Sequence, residues 1–206
     1  MKIISIEKNK KNKDKITLYI DDKYYLSIPE EEYIRLNLYE REEITPEEFD
    51  YIKNQVNFRY AKSAAIKNLS LKYRCEKEVY DNLKNQGFEE SDVIKTIDEL
   101  KSMGYINDMI YAQKYIHDRT KLKPKSKRML KFELKNKGVP EHIIDEAVDA
   151  MDIDEAIVAE GLVRKKFGKY DFNDEKVIKK VYYFLRHRGY NFEIIDGVIK
   201  KFNSNK

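Results

Sequence analysis

Apolar positions recur through most of this chain at the spacing of one helical face, and the runs come in matched sets. Val93, Ile94, Ile97 and Leu100 form one run; Ile143, Ile144, Ala147, Val148 and Met151 a second; Ile194, Ile195, Val198, Ile199 and Phe202 a third. Recurrence at i, i+3/i+4 and i+7 predicts an amphipathic helix in each place. The same short phrase precedes every run: "LKNQGF" at 83–88, "LKNKGV" at 134–139 and "LRHRGY" at 185–190. Its glycines, Gly87, Gly138 and Gly189, stand 51 positions apart. Such a phrase predicts a helix end. Glycine takes the left-handed C′ position that a Cβ disfavours, and the apolar residue after it folds back on the helix just closed. Pro140, standing where the next helix should open, suits a first helical position. Each phrase is thus a joint between two helices.

A further helix precedes each pair, in "RYAKSAAIKNLSLKY" (59–73), "INDMIYAQKYIHDR" (106–119) and "IDEAIVAEGLVRKK" (153–166). In the second, Asn107 or Asp108 is placed as N-cap, with Ile106 and Tyr111 as a hydrophobic staple; in the third, Asp154 is the cap. Ala112 matches Ala159 and Tyr115 matches Leu162 at an offset of 47, so the third set carries four extra residues in "KFGKYDFNDEK". The predicted fold is mainly α: three tandem three-helix repeats, at 58–106, 107–152 and 153–206, forming an elongated curved solenoid with one long concave surface. Residues 1–57 differ. "KITLYIDDKYYLSI" predicts a β-hairpin around Asp21-Asp22-Lys23, and "PEEEYIRLNL" and "TPEEFDYIKNQV" open two helices with proline and acids in their first turns. A small β-hairpin-plus-helices module precedes the repeats.

Composition narrows the function classes. Hydrophobic residues make up 41% of the chain and 25 residues are Tyr or Phe, which argues for a packed protein and against disorder. No apolar run approaches the ~18 residues of a membrane span, and "MKIISIEKNKKNK" breaks into lysines too early for a secretory signal. With Cys75 the single cysteine, no internal disulfide framework exists. A cytoplasmic protein is expected, with no membrane partner. There is no GxxxxGK, Gly161 to Gly168-Lys169 having the wrong spacing; GxSxG and HExxH are absent too. His117, His142, His187 and Cys75 lack metal-ligand spacing. Neither a cofactor nor a metal nor an active site is expected. The chain reads as a binding protein.

The net charge of +4 hides strong segregation. Residues 30–50 hold nine acids against two bases, and 141–160 hold eight acids with no Lys or Arg; 121–137 hold eight bases against the single acid Glu133. Lysines outnumber arginines 32 to 9, as an AT-rich coding sequence would produce, so most single lysines are solvated surface. Clustering across two repeats is the stronger signal. On a helix through 127–136, Lys127, Arg128, Lys131 and Lys135 make a basic stripe, joined nearby by Lys121, Lys123 and Lys125. Met129, Leu130, Leu134 and, in part, Phe132 would face inward. The third repeat adds Arg164, Lys165, Lys166, Lys169, Lys176, Lys179, Lys180, Arg186 and Arg188. Tyr115, Tyr183 and Phe184 are expected in the core. Because the acids gather elsewhere in sequence, the stripe is expected to lack local neutralisation, suiting phosphates or an acidic protein groove.

The stretch "YRCEKEVYDNLKNQGFEESDVIKTIDELKSMGYINDMIYAQKYIHDR", followed by "LKFELKNKGV", resembles the RecX family of recombination regulators. The family's junction of Gly-Tyr, Leu or Ile, two acids, two variable residues, an aromatic and Ala stands here as Gly104-Tyr105-Ile106-Asn107-Asp108-Met109-Ile110-Tyr111-Ala112. Arg119 and Leu134–Val139 match the segment that follows. The resemblance covers about 58–203, and the first residues resemble the extension of members from low-GC Gram-positive bacteria. Two departures stand out: Asn107 replaces the first acid, and a glycine common before the second repeat's middle helix is replaced within "KLKPKSK". A monomeric, non-catalytic protein is expected. The resemblance implies that it would bind the RecA recombinase and its filament on single-stranded DNA, restraining filament growth, ATP hydrolysis and strand exchange, and some members bind DNA directly. Two other readings stay open: a stand-alone DNA-binding protein of helix-turn-helix geometry, and an adaptor for another acidic partner.

Overall fold

The computed structural model describes residues 1–10, 13–22 and 24–204, which form two compact units, Met1–Asn107 and Asp108–Lys206. In the first unit, strands β1 (Ile3–Lys8), β2 (Lys15–Ile20) and β3 (Tyr24–Pro29) make an antiparallel sheet in the order β1-β2-β3. The expected hairpin is β2–β3, paired from Lys15 opposite Pro29 to Ile20 opposite Tyr24. Asp21 and Asp22 both take left-handed φ (50° and 53°), as tight hairpin turns require; Lys23 lies outside the described residues. Strand β1 extends the hairpin to a third strand. Its Ile4 and Ile6 are exposed, and the register shifts between Ile3 and Ser5, so the strand lacks a regular alternation. Ile16, Leu18 and Ile20 are buried. They pack with Leu26, Ile28, Leu38, Ile44, Ile52 and Val56 in the core of this module.

Two of those core residues come from a helix that leaves the module. After α1 (Glu30–Arg35), α2 (Pro46–Tyr51) starts at a capping box, where Thr45 Oγ accepts from the Glu48 amide (3.2 Å) and Glu48 accepts from the Thr45 amide (2.9 Å). The helix continues through a π-helical turn, Ile52–Val56, into α3 (Asn57–Leu71), with helical backbone angles at both transitions. One helical run therefore buries Ile52 and Val56 against the sheet, then Ala61 and Ala65 against the first repeat.

That repeat comprises α3, α4 (Glu76–Asn85) and α5 (Glu90–Ser102). The second unit holds α6 (Asp108–Leu122), α7 (Lys127–Asn136) and α8 (Glu141–Asp149), then α9 (Glu155–Phe167), α10 (Glu175–Arg186) and α11 (Phe192–Ser204). The three joints have the expected geometry. Gly87, Gly138 and Gly189 take φ of 77°, 85° and 87°. After each, the apolar residue's amide donates to the carbonyl of the leucine five positions earlier: Phe88 to Leu83, Val139 to Leu134 and Tyr190 to Leu185. The glycine amide closes the shorter loop, completing a Schellman end. Asp154 caps α9 as expected, accepting from the Ala156 amide (2.8 Å). Pro140 sits at the N-cap of α8, one residue before the expected first helical position.

Each repeat buries its own apolar face: Val79, Leu83, Val93 and Leu100 in the first, Leu130, Leu134, Ile144 and Val148 in the second, Val181, Leu185, Ile195 and Val198 in the third. The second and third also meet end to side. The Ser126 amide donates to the Arg188 carbonyl (2.9 Å), and Ser126 Oγ caps α7 by accepting from the Met129 amide (3.1 Å). Glu155 of α9 accepts from the Lys127 amide (2.7 Å). The α10–α11 joint and the head of α9 thus satisfy amides that the start of α7 would otherwise leave open.

Candidate functional site

The basic residues singled out from sequence divide into two groups. In the second repeat, most of them are answered locally. Lys131 bonds Asp145 of α8 (2.6 Å) and approaches Asp149 (3.6 Å); the Asp145 bond raises the ammonium pKa above its ordinary value. Lys135 reaches Glu141 at 3.5 Å. The Lys127 ammonium donates to the Met151 carbonyl (3.0 Å). Lys125 pairs with Glu133, which Tyr115 (2.9 Å) and Arg119 (3.4 Å) also reach. Burial pushes the Glu133 carboxyl up, but bonds from Lys125 and Tyr115 outweigh it and hold its pKa below the usual carboxylate range. The expectation of an un-neutralised stripe is corrected here. The turn at Gly138 folds acidic α8 back along α7, and opposite charges remote in sequence meet. Of the four stripe residues Lys127 and Arg128 make no ion pair among the described residues, Lys127 being held by a carbonyl, and Lys121 and Lys123 make none at the end of α6 and just beyond it.

The third repeat keeps more of its charge outward. Arg164 pairs with Glu160 (2.6 Å), but Lys165 and Lys169 are exposed and make no ion pair among the described residues. The Lys166 ammonium lies 4.4 Å from the centroid of the Phe184 ring, and the Arg188 guanidinium lies over that ring at 3.8 Å, both at cation–π distance. Arg186 donates to the Tyr182 hydroxyl (3.1 Å). On α10, the exposed positions Lys176, Lys179, Lys180, Tyr183, Arg186 and His187 share the side opposite buried Val177, Val181 and Leu185. Glu175 is the only acid there, and Lys179 approaches it at only 3.9 Å.

Two aromatic positions depart from expectation. Tyr183, assigned to the core from sequence, is 66% exposed, and Phe132, expected partly inward, is 59% exposed. Tyr115 and Phe184 are half-buried. The signal that would have found the exposed pair is the repeat alignment, since both align on the 51-residue interval with Asp81, an acid at the equivalent position.

The third helices of the first two repeats have the opposite character, while α11 balances Glu193 and Asp196 against Lys200 and Lys201. The only charged residues of α8 are Glu141, Asp145, Glu146 and Asp149, besides His142, and α5 carries Glu90, Asp92, Asp98 and Glu99 against Lys95 and Lys101. A helix-turn-helix protein lays this element in the major groove, where such a row of carboxylates would face phosphates. Among the described residues, no group of three or more His, Cys, Asp or Glu could hold a metal ion, and no helix is long and apolar enough to cross a membrane.

Comparison with known proteins covers nearly the whole chain. Residues 1–45 match the regulatory protein RecX N-terminal domain, and 61–100, 107–148 and 154–199 match the first, second and third RecX three-helix domains. The regulatory protein RecX of Clostridium beijerinckii is 34% identical over 97% of this chain and 95% of its own length. That of Clostridioides difficile is 33% identical over 97% and 94%. A crystal structure of regulatory protein RecX matches with a TM-score of 0.65 at 24% identity, covering 97% of this chain and 100% of that one. RecX from Lactobacillus salivarius matches at 0.61 and 23%, over 71% and 97%. At those identities the two structures speak for the fold.

Proposed function

This chain belongs to the RecX family of regulatory proteins, and from that premise we propose that it binds RecA filaments on single-stranded DNA and restrains them stoichiometrically, without turnover. The observation that carries the reading is the outward charge of the third repeat. Lys165, Lys169, Lys176 and Lys180 are exposed and make no ion pair among the described residues, while nearly every base of the second-repeat stripe is answered by an acid or a carbonyl. Exposed cations without partners suit a polyanion or an acidic protein surface, and each contact releases counterions. Several such contacts on consecutive repeats suit a lattice of repeating subunits, since weak contacts on one chain multiply in avidity. The acidic third helices of the first two repeats, α5 and α8, count against a stand-alone reader of duplex sequence.

The test is RecA ATPase on single-stranded DNA, titrated with this protein. Inhibition should track the ratio of protein to filament and not the incubation time. Untouched ATPase at saturating protein, or progressive dismantling by a trace amount, would overturn the proposal.

A further inference from the structure

The second helices of the three repeats align on the 51-residue interval. Lys77, Arg128 and Lys179 are equivalent, as are Asp81, Phe132 and Tyr183, and Lys84, Lys135 and Arg186. In α4 the central position is an acid and the cations are engaged: Lys77 pairs with Asp81 (2.6 Å) and Lys84 with Glu90 (3.0 Å). In α7 and α10 the central position is an aromatic ring that stands out in solvent, 59% exposed at Phe132 and 66% at Tyr183. The bracketing cations are exposed as well: Arg128 makes no ion pair among the described residues, and the nearest carboxylates to Lys135 and Lys179 are at 3.5 and 3.9 Å. Arg186 is held by a tyrosine hydroxyl, which leaves its charge uncompensated.

A cation one turn before an exposed ring and another one turn after it is a matched set for a polymer that alternates bases with phosphates. The ring offers a flat face for stacking, and the cations offer phosphate contacts on either side. Duplex DNA hides its base faces, so a single strand is the form that fits. A docking peptide helix would call for a run of aliphatic side chains beside the ring; the outward face of α10 offers Lys176, Lys180 and His187 instead. We infer that Phe132 and Tyr183 are repeat-equivalent stacking platforms for bases of single-stranded DNA, each bracketed by phosphate-binding cations. The first repeat lacks a platform because Asp81 holds that position. This inference rests on the proposed function only in taking single-stranded DNA as the polymer at hand.

Because the chain contains no tryptophan, Phe132→Trp and Tyr183→Trp each introduce a lone indole at a platform. Its fluorescence should be quenched by oligo(dT) and not by an abasic strand of equal length and charge. Phe132→Ala and Tyr183→Ala should each weaken oligo(dT) binding about 5-fold or more, with the salt slope unchanged, while Tyr183→Phe binds like wild type. Far-UV CD confirms that the variants fold. Equal quenching by the abasic strand, or wild-type affinity in both alanine variants, would overturn the inference. So would alanine variants that lose filament inhibition yet keep free-strand affinity, since the face would then be docking protein. No recombinase enters the oligo(dT) measurements, so they can succeed where the ATPase titration fails, and the reverse.

Discussion

Replacing Gly189 by alanine should be far more damaging than the same change at Gly104, although both glycines have left-handed backbone, at φ of 87° and 76°. At Gly104 nothing lies within 4 Å of the added Cβ, so the loss is the conformational one, about 1–2 kcal/mol. At Gly189 the new carbon would stand 2.4 Å from Ser126 Oγ and 2.7 Å from Met129 Cβ. Neither neighbour gives way easily. Ser126 is buried and its hydroxyl caps α7, while its amide is bonded to Arg188 beside the glycine. Displacing the cap costs about 1 kcal/mol, and overpacking against Met129 about 1–3 more. Gly189→Ala should therefore lose about 2 kcal/mol or more beyond Gly104→Ala. Urea unfolding by far-UV CD measures the losses, and amide hydrogen exchange assigns each to its compact unit. Equal losses would refute the contact between second and third repeats as a source of stability.

Two further outcomes follow from charge. Buried Lys15, whose ammonium lies 3.6 Å from the centroid of the Phe88 ring, has its pKa lowered to about 8 by burial, against the pull of Asp92 and Glu89. The unfolded chain then binds more protons between that value and the ordinary 10.5, so stability rises with pH across this window. Relative to Lys15→Met, wild type should gain about 2 kcal/mol from pH ~8 to ~9.5; a gap flat in pH would count against the buried charge. In single-strand binding, Arg128→Gln should flatten the log–log salt slope by about 0.7 for each phosphate that the guanidinium neutralises. Lys131→Gln, already answered by Asp145, should change it little, and a reversed order would make Lys131, not Arg128, the phosphate contact.

What was legible in the sequence was local. A Schellman end is written within six residues, so the three joints and their left-handed glycines could be read directly. So could the cap at Asp154. Strand β1 escaped because Ile3, Ile4 and Ile6, interrupted by a register shift and set among lysines, show no regular alternation. The candidate surface was read less well because charge neutralisation is tertiary. Lys131 and Asp145 lie 14 residues apart in blocks of opposite sign, and only the turn between them shows that the blocks cancel. Exposure of Tyr183 is hidden in the sequence for a related reason: its neighbours Tyr182 and Phe184 are both half-buried, and an aromatic run conceals which member points outward.

The helical run from Pro46 to Leu71 binds the amino-terminal sheet and the first repeat to a common fate. A gene rearrangement that joined these repeats to another leader at residue 58 would leave Ile52 and Val56 behind and strip the sheet of one wall of its core. The same cut would start α3 without the turn that precedes it and remove Lys15 from above Phe88. Lineages that shed or exchange this leader would have to refashion the first repeat at the same step.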